Sequence, residues 1–521
     1  MLIYVHGAKC IGIEAVPVTV EVDITSGIGI HLCGLADAAV KESLLRTVTA
    51  LQAYGFRIPG KKIVINLAPA DMHKNGSGYD LPIAVGIIAA SEQLSLPGLG
   101  KYLILGELGL DGSIRNIPGA LPTAELAQRS GFSGCILPEE SAMEAVEFRE
   151  TSVFGVRTLG DVLRIIEEKE DPSDLLVWNS EMFRKMHEGD LFGRRRRTCP
   201  DFSEIIGQEA AKRAAEIAAA GGHNLIMIGA PGSGKSSIAK ALSGILPPMT
   251  LEESFVTSKV YSVAGKTLRG RGLLRERPFR SPHHSSSLAA FLGGGNKDNI
   301  VPGEVSLANN GILFLDEFAE MPKTILEALR GPLEDRKVSI SRLRAKVDFP
   351  SSFMLVAAAN PCPCGYYGEE GRCTCSVGQR MGYLSRLSGP VMDRIDLQVW
   401  VHPVDASRLV SREKAEPSEV IAGRVAKARQ IQLERFRESG IFTNAEMTNR
   451  EIERFCPLGD DCKAALEKII ERLGLSARAY TRIIKIARTI ADLSGEKDIL
   501  PAHIAEAASF RFLDRRYFGE F

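Results

Sequence analysis

The chain has 521 residues, 45% of them hydrophobic and 25% charged, with 64 Lys+Arg set against 64 Asp+Glu. That length exceeds what one hydrophobic core organises, so about two to four domains are expected, and the composition excludes a largely disordered chain. The charge balance excludes a protein that is basic or acidic in bulk, but leaves local patches open.

From Met1 to Glu168 the pattern is mixed α/β, with strands expected over Val16–Ile24 and Lys62–Leu67 and helices over Ala36–Tyr54 and Pro82–Gln93. The longest uncharged apolar run, Leu81 to Ala90, has about half the length of a membrane span, so no membrane partner is expected. The amino terminus lacks the charged region, apolar region and cleavage site of a signal peptide. With ten cysteines too sparse for a disulfide framework, the expected location is cytoplasmic. Composition turns acidic over Glu167–Asp174 and then polar as far as Arg194–Arg197, which reads as a linker over residues 169–200 with some helix in it. Such an arginine run is more often a solvated linker than a nucleic-acid contact. A second α/β pattern fills residues 201–403. Strands stop after Pro403, and 404–521 reads as an all-helical unit with helices over Ser407–Ser439, Asp461–Leu473, Ala477–Leu493 and Pro501–Phe510.

The strongest chemical signal is Gly229-Ala-Pro-Gly-Ser-Gly-Lys235-Ser236, which fits G-x-x-x-x-G-K-[ST] between an apolar strand, Leu225–Ile228, and a helix, Ser237–Leu246. Gly229, Gly232 and Gly234 let backbone N–H groups converge on phosphates, Lys235 reaches the β/γ oxygens, and Ser236 can ligate Mg²⁺. Gly311-Ile-Leu-Phe-Leu-Asp316-Glu317 gives a buried strand ending in two acids. Asp316 suits the Mg²⁺ sphere and Glu317 suits a base that polarises the attacking water. A third strand, Phe353–Ala359, ends in Asn360, where a strand tip would face the γ-phosphate. ATP and Mg²⁺ are therefore the expected cofactors.

This order of motifs, followed by Met392-Asp-Arg394-Ile-Asp-Leu, resembles AAA+ ATPases. More closely, FRSPHHSSS (279–287), PGEVSLANNGILFLDE (302–317), AAANPCPCGYYG (357–368), GPVMDRIDL (389–397) and LSARAYTRIIKIARTIADL (475–493) resemble the magnesium-chelatase-like branch that holds the YifB and ComM proteins. The resemblance implies an α/β AAA+ P-loop core with a carboxyl-terminal helical lid, assembled as a hexameric ring. It implies that Asn360 is sensor 1, that Arg394 is an arginine finger acting on a neighbour's nucleotide, and that Arg478 is sensor 2, with Arg482 one helical turn further on able to substitute. Met72-His-Lys74-Asn-Gly-Ser77-Gly78 and Gly106 to Gly119 resemble the proteolytic domain of Lon, so 1–168 is expected to be a Lon-like α+β domain. An ungapped overlay puts Gly78 at the nucleophile and Pro122 at the lysine, so the domain is expected to be proteolytically inactive.

Two stretches break the charge balance locally. Lys259 to Arg280 holds seven basic residues (Lys259, Lys266, Arg269, Arg271, Arg275, Arg277, Arg280) and one acid, and Arg336 to Lys346 holds five (Arg336, Lys337, Arg342, Arg344, Lys346) and none. The second alternates like a hairpin. In the related branch, inserts at these places face a central pore, and cations there suit a nucleic-acid backbone without base reading. The expected DNA contacts are Arg269, Arg271, Lys337, Arg342, Arg344 and Lys346, with Tyr261, Phe279 and Phe291 as sparse stacking candidates. Ion-paired, solvated charge is the plainer alternative. Cys362-Pro-Cys364 and Cys373-Thr-Cys375 can supply four thiolates to one structural Zn²⁺. The resemblance implies an ATP-driven ring motor on DNA, a helicase or branch-migration factor in recombination of incoming DNA. A chelatase-type chaperone that remodels a protein partner is the alternative, and an ATP-dependent protease is improbable.

Overall fold

The computed structural model describes residues 2–511 apart from 36, 75, 189–198, 268–271, 296–299, 343–344, 370, 388 and 405–414. The Arg194–Arg197 run, Arg269, Arg271 and Arg344 lie outside the described residues, as does the start of the helix expected from Ser407.

The amino-terminal part is built on a seven-stranded mixed sheet in the order Gly29–Cys33, Lys62–Ala68, Glu14–Thr25, Ile3–Ile11, Tyr102–Ile104, Gly134–Pro138, Ser152–Val156. The alternation read in Val16–Ile24 is the two-residue period of a strand: Val18, Val20 and Val22 point inward and are fully buried. The apolar run 81–90 has no polar face because the helix Asp80–Ala90 is buried along its entire length. Its first residue, Asp80, is kept inside by Arg46 at 2.9 Å and by the Leu108 N–H at 3.2 Å. At Gly86 a Cβ would lie 2.6 Å from Val22 Cγ2, so the missing side chain is what lets the helix lie on the sheet.

The second sheet is entirely parallel, in the order Phe279–Arg280, Ile312–Leu315, Met354–Ala359, Leu225–Gly229, Leu397–Val401. Its central strands are continuous apolar runs because helices cover both faces. Every carboxyl end of these strands therefore falls on one edge of the sheet, and every amino end on the other. Beyond it lie the helices Ser418–Arg435, Asn449–Phe455, Asp460–Leu473, Ala477–Ser494 and Pro501–Ser509. The expected helices are present to within a few residues where described, and Asn449–Phe455 is an addition that its short apolar pattern did not signal. Val425, Ile483, Ile490 and Ile504 share one apolar cluster with Ala215 and Ala218 of the helix Glu209–Gly221, which ties the helical part to the sheet. Ser418 fixes the junction: its N–H donates to Asp201 at 3.0 Å and its hydroxyl accepts from the Phe202 N–H at 2.8 Å.

The described cations of the first basic stretch are ion-paired. Lys259 is buried between Glu14 at 2.6 Å and Glu125 at 2.9 Å, so it joins the helix Leu251–Val263 to the amino-terminal sheet and its helix Ala120–Arg129. Arg275 pairs with Glu147 at 2.5 Å across the same boundary. Arg277 meets Glu253 at 2.8 Å, and Arg280 and Lys266 share Glu304 at 2.6 and 3.6 Å. Five of the seven cations are thus committed to carboxylates supplied from elsewhere in the chain.

Candidate functional site

The phosphate loop leaves the strand Leu225–Gly229 and opens the helix Lys235–Ser243. Gly229 passes so close to the last strand that a Cβ would sit 2.2 Å from the Val401 carbonyl. Gly232 and Gly234 have φ of +78° and +93°, which a side chain would oppose. Lys235 is buried. Its Nζ donates to the carbonyls of Gly229 and Ala230 at 2.7 and 2.8 Å and reaches Asn360 Oδ1 at 3.5 Å, and burial lowers its pKa. The Ser236 hydroxyl donates to Asp316 Oδ2 at 2.8 Å. One edge of the parallel sheet thus gathers the loop, the lysine, the hydroxyl, the carboxylate and the asparagine. Hard oxygen donors at this spacing fit Mg²⁺, and converging N–H groups at a helix start fit a triphosphate.

Glu317 follows Asp316 with a left-handed backbone, φ +50°, and its N–H donates to Asp316 Oδ1 at 2.9 Å. Its carboxylate lies 2.9 Å from His284 Nδ1. His284 comes just after the edge strand Phe279–Arg280, on the far side of Ile312–Leu315 from Asn360, so this pair draws Glu317 away from the phosphate loop. The sequence reading quoted His284 only inside a motif. Its position straight after a strand was the signal that could have placed it.

Arg394 and Arg478 lie on the other edge. Arg394 immediately precedes the strand Leu397–Val401, whose length at about 3.3 Å per residue sets it roughly 15 Å or more from the phosphate loop of its own chain. Arg394 pairs with Glu334, and Arg478, exposed, meets Asp393 at 2.9 Å. Arg482 does not stand in for Arg478, because it is spent on buried Asp396, which also accepts from the Asn224 N–H at 2.9 Å. Burial alone would raise the Asp396 carboxyl. Arg482, His223 and the Asn224 N–H outweigh it and hold the group far below the usual carboxylate range. A cavity of about 550 Å³ opens here, lined in part by Glu334, Arg394, Asp396, Arg429 and Arg482.

The four cysteines converge. All four sulfurs lie within 4.8 Å of one another, with Cys362–Cys364 at 3.3 Å, Cys364–Cys373 at 3.7 Å and Cys362–Cys373 at 3.9 Å. A disulfide would need about 2.05 Å. A tetrahedral ion with bonds of about 2.3 Å needs sulfurs about 3.8 Å apart, which this cluster matches. The backbone N–H groups of Tyr366 and Thr374 lower the Cys364 thiol, while burial and the neighbouring thiol of Cys364 push Cys362 up.

The hairpin forms as expected, Lys337–Arg342 paired with Ala345–Pro350. Lys337 meets Asp348 at 3.1 Å yet stays half exposed, and Lys346 is exposed. The side chain of Arg342 is outside the described residues. The stacking candidates are otherwise engaged: Tyr261 donates to the Leu307 carbonyl at 2.9 Å, Phe279 stacks on Phe314 and Phe291 is fully buried.

The amino-terminal part holds a second cavity, of about 600 Å³, where the Lon-like motifs meet. Ser77 there donates to Glu107 and Lys9 donates to the His73 carbonyl, while nearby Lys74 donates to the Pro69 carbonyl. Pro122 is buried in the helix Ala120–Arg129. No serine among the described residues of this cavity is paired with a lysine.

Comparison with known proteins agrees with this architecture. Models of the magnesium chelatase subunit ChlI match residues 201–409, of the subunit ChlI of Mg-chelatase residues 20–141, and of the ChlI C-terminal part residues 415–511. The uncharacterized protein YifB of Salmonella typhimurium is 42% identical over 99% of this chain and 98% of its own length. The competence protein ComM of Haemophilus influenzae is 41% identical over 99% and 98%. The chain belongs to the YifB/ComM branch of the magnesium-chelatase family. Membership makes it an AAA+ ATPase of the chelatase-like type, with the parallel sheet, helical carboxyl-terminal region and Lon-like amino-terminal part that the sequence predicted. A stretch of 61 residues is also 44% identical to the archaeal Lon protease of Halobacterium salinarum, covering 11% of this chain and 9% of that protein.

Proposed function

We propose that this YifB/ComM-family protein is an ATP-driven ring motor that moves on DNA, a helicase or branch-migration factor acting in recombination of incoming DNA. The observation that carries the reading is the split of the ATP machinery between opposite edges of one parallel sheet. Gly229, Gly232, Gly234, Lys235, Ser236, Asp316, Glu317 and Asn360 gather at the carboxyl ends. Arg394 and Arg478 sit together at the amino ends, too far to serve their own nucleotide. A neighbouring subunit supplies the arginines in this reading, and repetition of that contact favours a closed ring, taken as a hexamer. In this reading Lys235 holds the phosphates, Ser236 and Asp316 hold Mg²⁺, Glu317 polarises the attacking water, and Asn360 positions it. Arg394 and Arg478 stabilise the charge that develops on the transferred phosphoryl group. Cys362, Cys364, Cys373 and Cys375 hold a structural Zn²⁺.

The half-exposed hairpin with Lys337 and Lys346 supports a nucleic-acid backbone contact, and the likeness to a competence protein supports handling of DNA. The pairings of Lys259, Lys266, Arg275, Arg277 and Arg280 with carboxylates leave Arg269 and Arg271, outside the described residues, as the candidates from the first basic stretch. A chelatase-type chaperone is the second reading, favoured by the ChlI family models themselves.

The deciding experiment is ATP-dependent migration of a synthetic DNA junction, run beside ATPase assays with single- and double-stranded DNA. Absence of stimulation and of salt-sensitive binding would sink the motor. Arg394→Ala should lower turnover about 10³–10⁵-fold and be rescued in mixed assemblies by subunits that keep the arginine. Replacing Lys337 and Lys346 by alanine should lower the slope of log affinity against log salt by about 2, while Lys259→Ala should leave it unchanged.

A further inference from the structure

The cysteine loop starts two residues after Asn360 and, among the described residues, has no helix or strand of its own before the helix Val377–Leu384. Its inner turn is pressed onto the phosphate loop. At Gly365, φ +85°, a Cβ would lie 2.7 and 2.8 Å from Cδ and Cγ of Pro231 and 3.9 Å from Cγ of Asn360. At Gly368, φ +94°, a Cβ would lie 3.3 Å from the Trp400 ring, in the strand that flanks the phosphate-loop strand. Two arginines also bridge the loop, Arg372 over Tyr366 and Arg380 over Tyr367, each at 4.2 Å. Local turn bonds, such as Gly365 N–H to the Cys362 carbonyl at 3.0 Å, shape the turn after the first cysteine pair. The half carrying Cys362 and Cys364 meets the half carrying Cys373 and Cys375 at the cluster of four sulfurs.

We infer that this metal-held loop is a wall of the ATP site, so that Zn²⁺ on Cys362, Cys364, Cys373 and Cys375 sets how tightly the protein holds nucleotide. The inference rests on the ATP and zinc assignments above and adds the coupling between them. Zinc binding releases thiol protons and closes the fourteen-residue span Cys362–Cys375. Without the ion the two halves regain loop entropy. Gly365 then no longer backs Pro231, and the turn that presents Gly232 and Gly234 loses its support on the Asn360 side.

Zinc content by elemental analysis and the affinity for a fluorescent ATP analogue, measured on the full chain, test the coupling. Wild type should carry about one zinc per chain. The double variant Cys373→Ser, Cys375→Ser should lose it and bind the analogue about tenfold more weakly, the scale of cost for a displaced positioning element. Wild type stripped by a chelator, then returned to excess Mg²⁺, should show the same loss and recover on addition of zinc, which separates the effect from misfolding of the variant. Gly365→Ala, which pushes on Pro231 without touching a sulfur, should keep its zinc and weaken the analogue in the same direction. Zinc loss with unchanged nucleotide affinity would overturn the coupling, as would wild type without zinc. Lys235→Ala decides separately whether the ATP assignment stands, since it should lose the analogue whatever the metal content.

Discussion

The two glycine-rich pockets of this chain, the phosphate loop and the Lon-like cavity, contain similar residue types and differ in how those residues are paired. At the phosphate loop the reactive groups face one another: Ser236 meets Asp316, and Lys235 reaches Asn360. In the amino-terminal cavity each is turned aside, with Ser77 on Glu107 and Lys9 on the His73 carbonyl. Cys10, which also lines it, is half-buried and desolvation pushes its thiol up to about 12, so it is no nucleophile at neutral pH. A serine, a lysine and a cysteine around a cavity therefore do not make a catalytic site. What makes one is a donor aimed at an acceptor that the reaction will use.

The contrast can be broken most severely at the working site. Glu317→Gln should bind ATP yet lower kcat about 10²–10⁴-fold, measured by steady-state ATPase beside nucleotide binding. The next effect is on stability at the opposite edge. Asp396→Asn leaves Arg482 inside without its charge partner and should cost about 3–5 kcal/mol by denaturant unfolding. Because the folded-state pKa of Asp396 is lowered, its stabilisation is complete above the unfolded value of 3.8 and is lost as the pH falls below it. The variant should accordingly lose the part of the acid-unfolding slope that wild type shows below about pH 4. A smaller effect is expected at His284, whose pair with Glu317 is part-exposed and worth about 1 kcal/mol or less. His284→Ala should raise basal kcat by up to about fivefold with KM for ATP unchanged. A fall in kcat would mean that the histidine presents Glu317 instead of withholding it. The smallest effect belongs to the second pocket: Ser77→Ala should leave ATPase turnover within about twofold, and detectable peptide cleavage by wild type that the variant loses would restore the protease reading.

The ATP edge was legible because its chemistry is local. A glycine, a lysine and a hydroxyl within eight residues must lie at a strand–helix turn, and acids that end an apolar strand must lie at its tip. The hairpin over Lys337–Pro350 was legible for the same reason, since alternation is a short-range pattern. Pairing between distant segments was not. Nothing near Lys259 in sequence announces Glu14 and Glu125, 245 and 134 residues away, so a buried interdomain cation read as part of a basic patch. His284 and Glu317 likewise meet only through the order of strands. That Arg482 is taken up by Asp396 while Arg478 stays exposed also depended on burial of Asp396, a property of the packed helix and not of its spacing.

The order of the parallel sheet also bears on synthesis. Leu225–Gly229 is made first among its strands, yet its two neighbours, Met354–Ala359 and Leu397–Val401, are made last. At about 5–20 residues per second a ribosome needs roughly 10–30 seconds between finishing the first strand and finishing its final partner. Through that interval the phosphate-loop strand has no permanent edge to pair with, whereas the buried helix Asp80–Ala90 emerges after the two strands it packs on, Ile3–Ile11 and Glu14–Thr25. The amino-terminal part can begin to fold as it is made. The ATP site cannot be assembled until the whole of its sheet has left the ribosome.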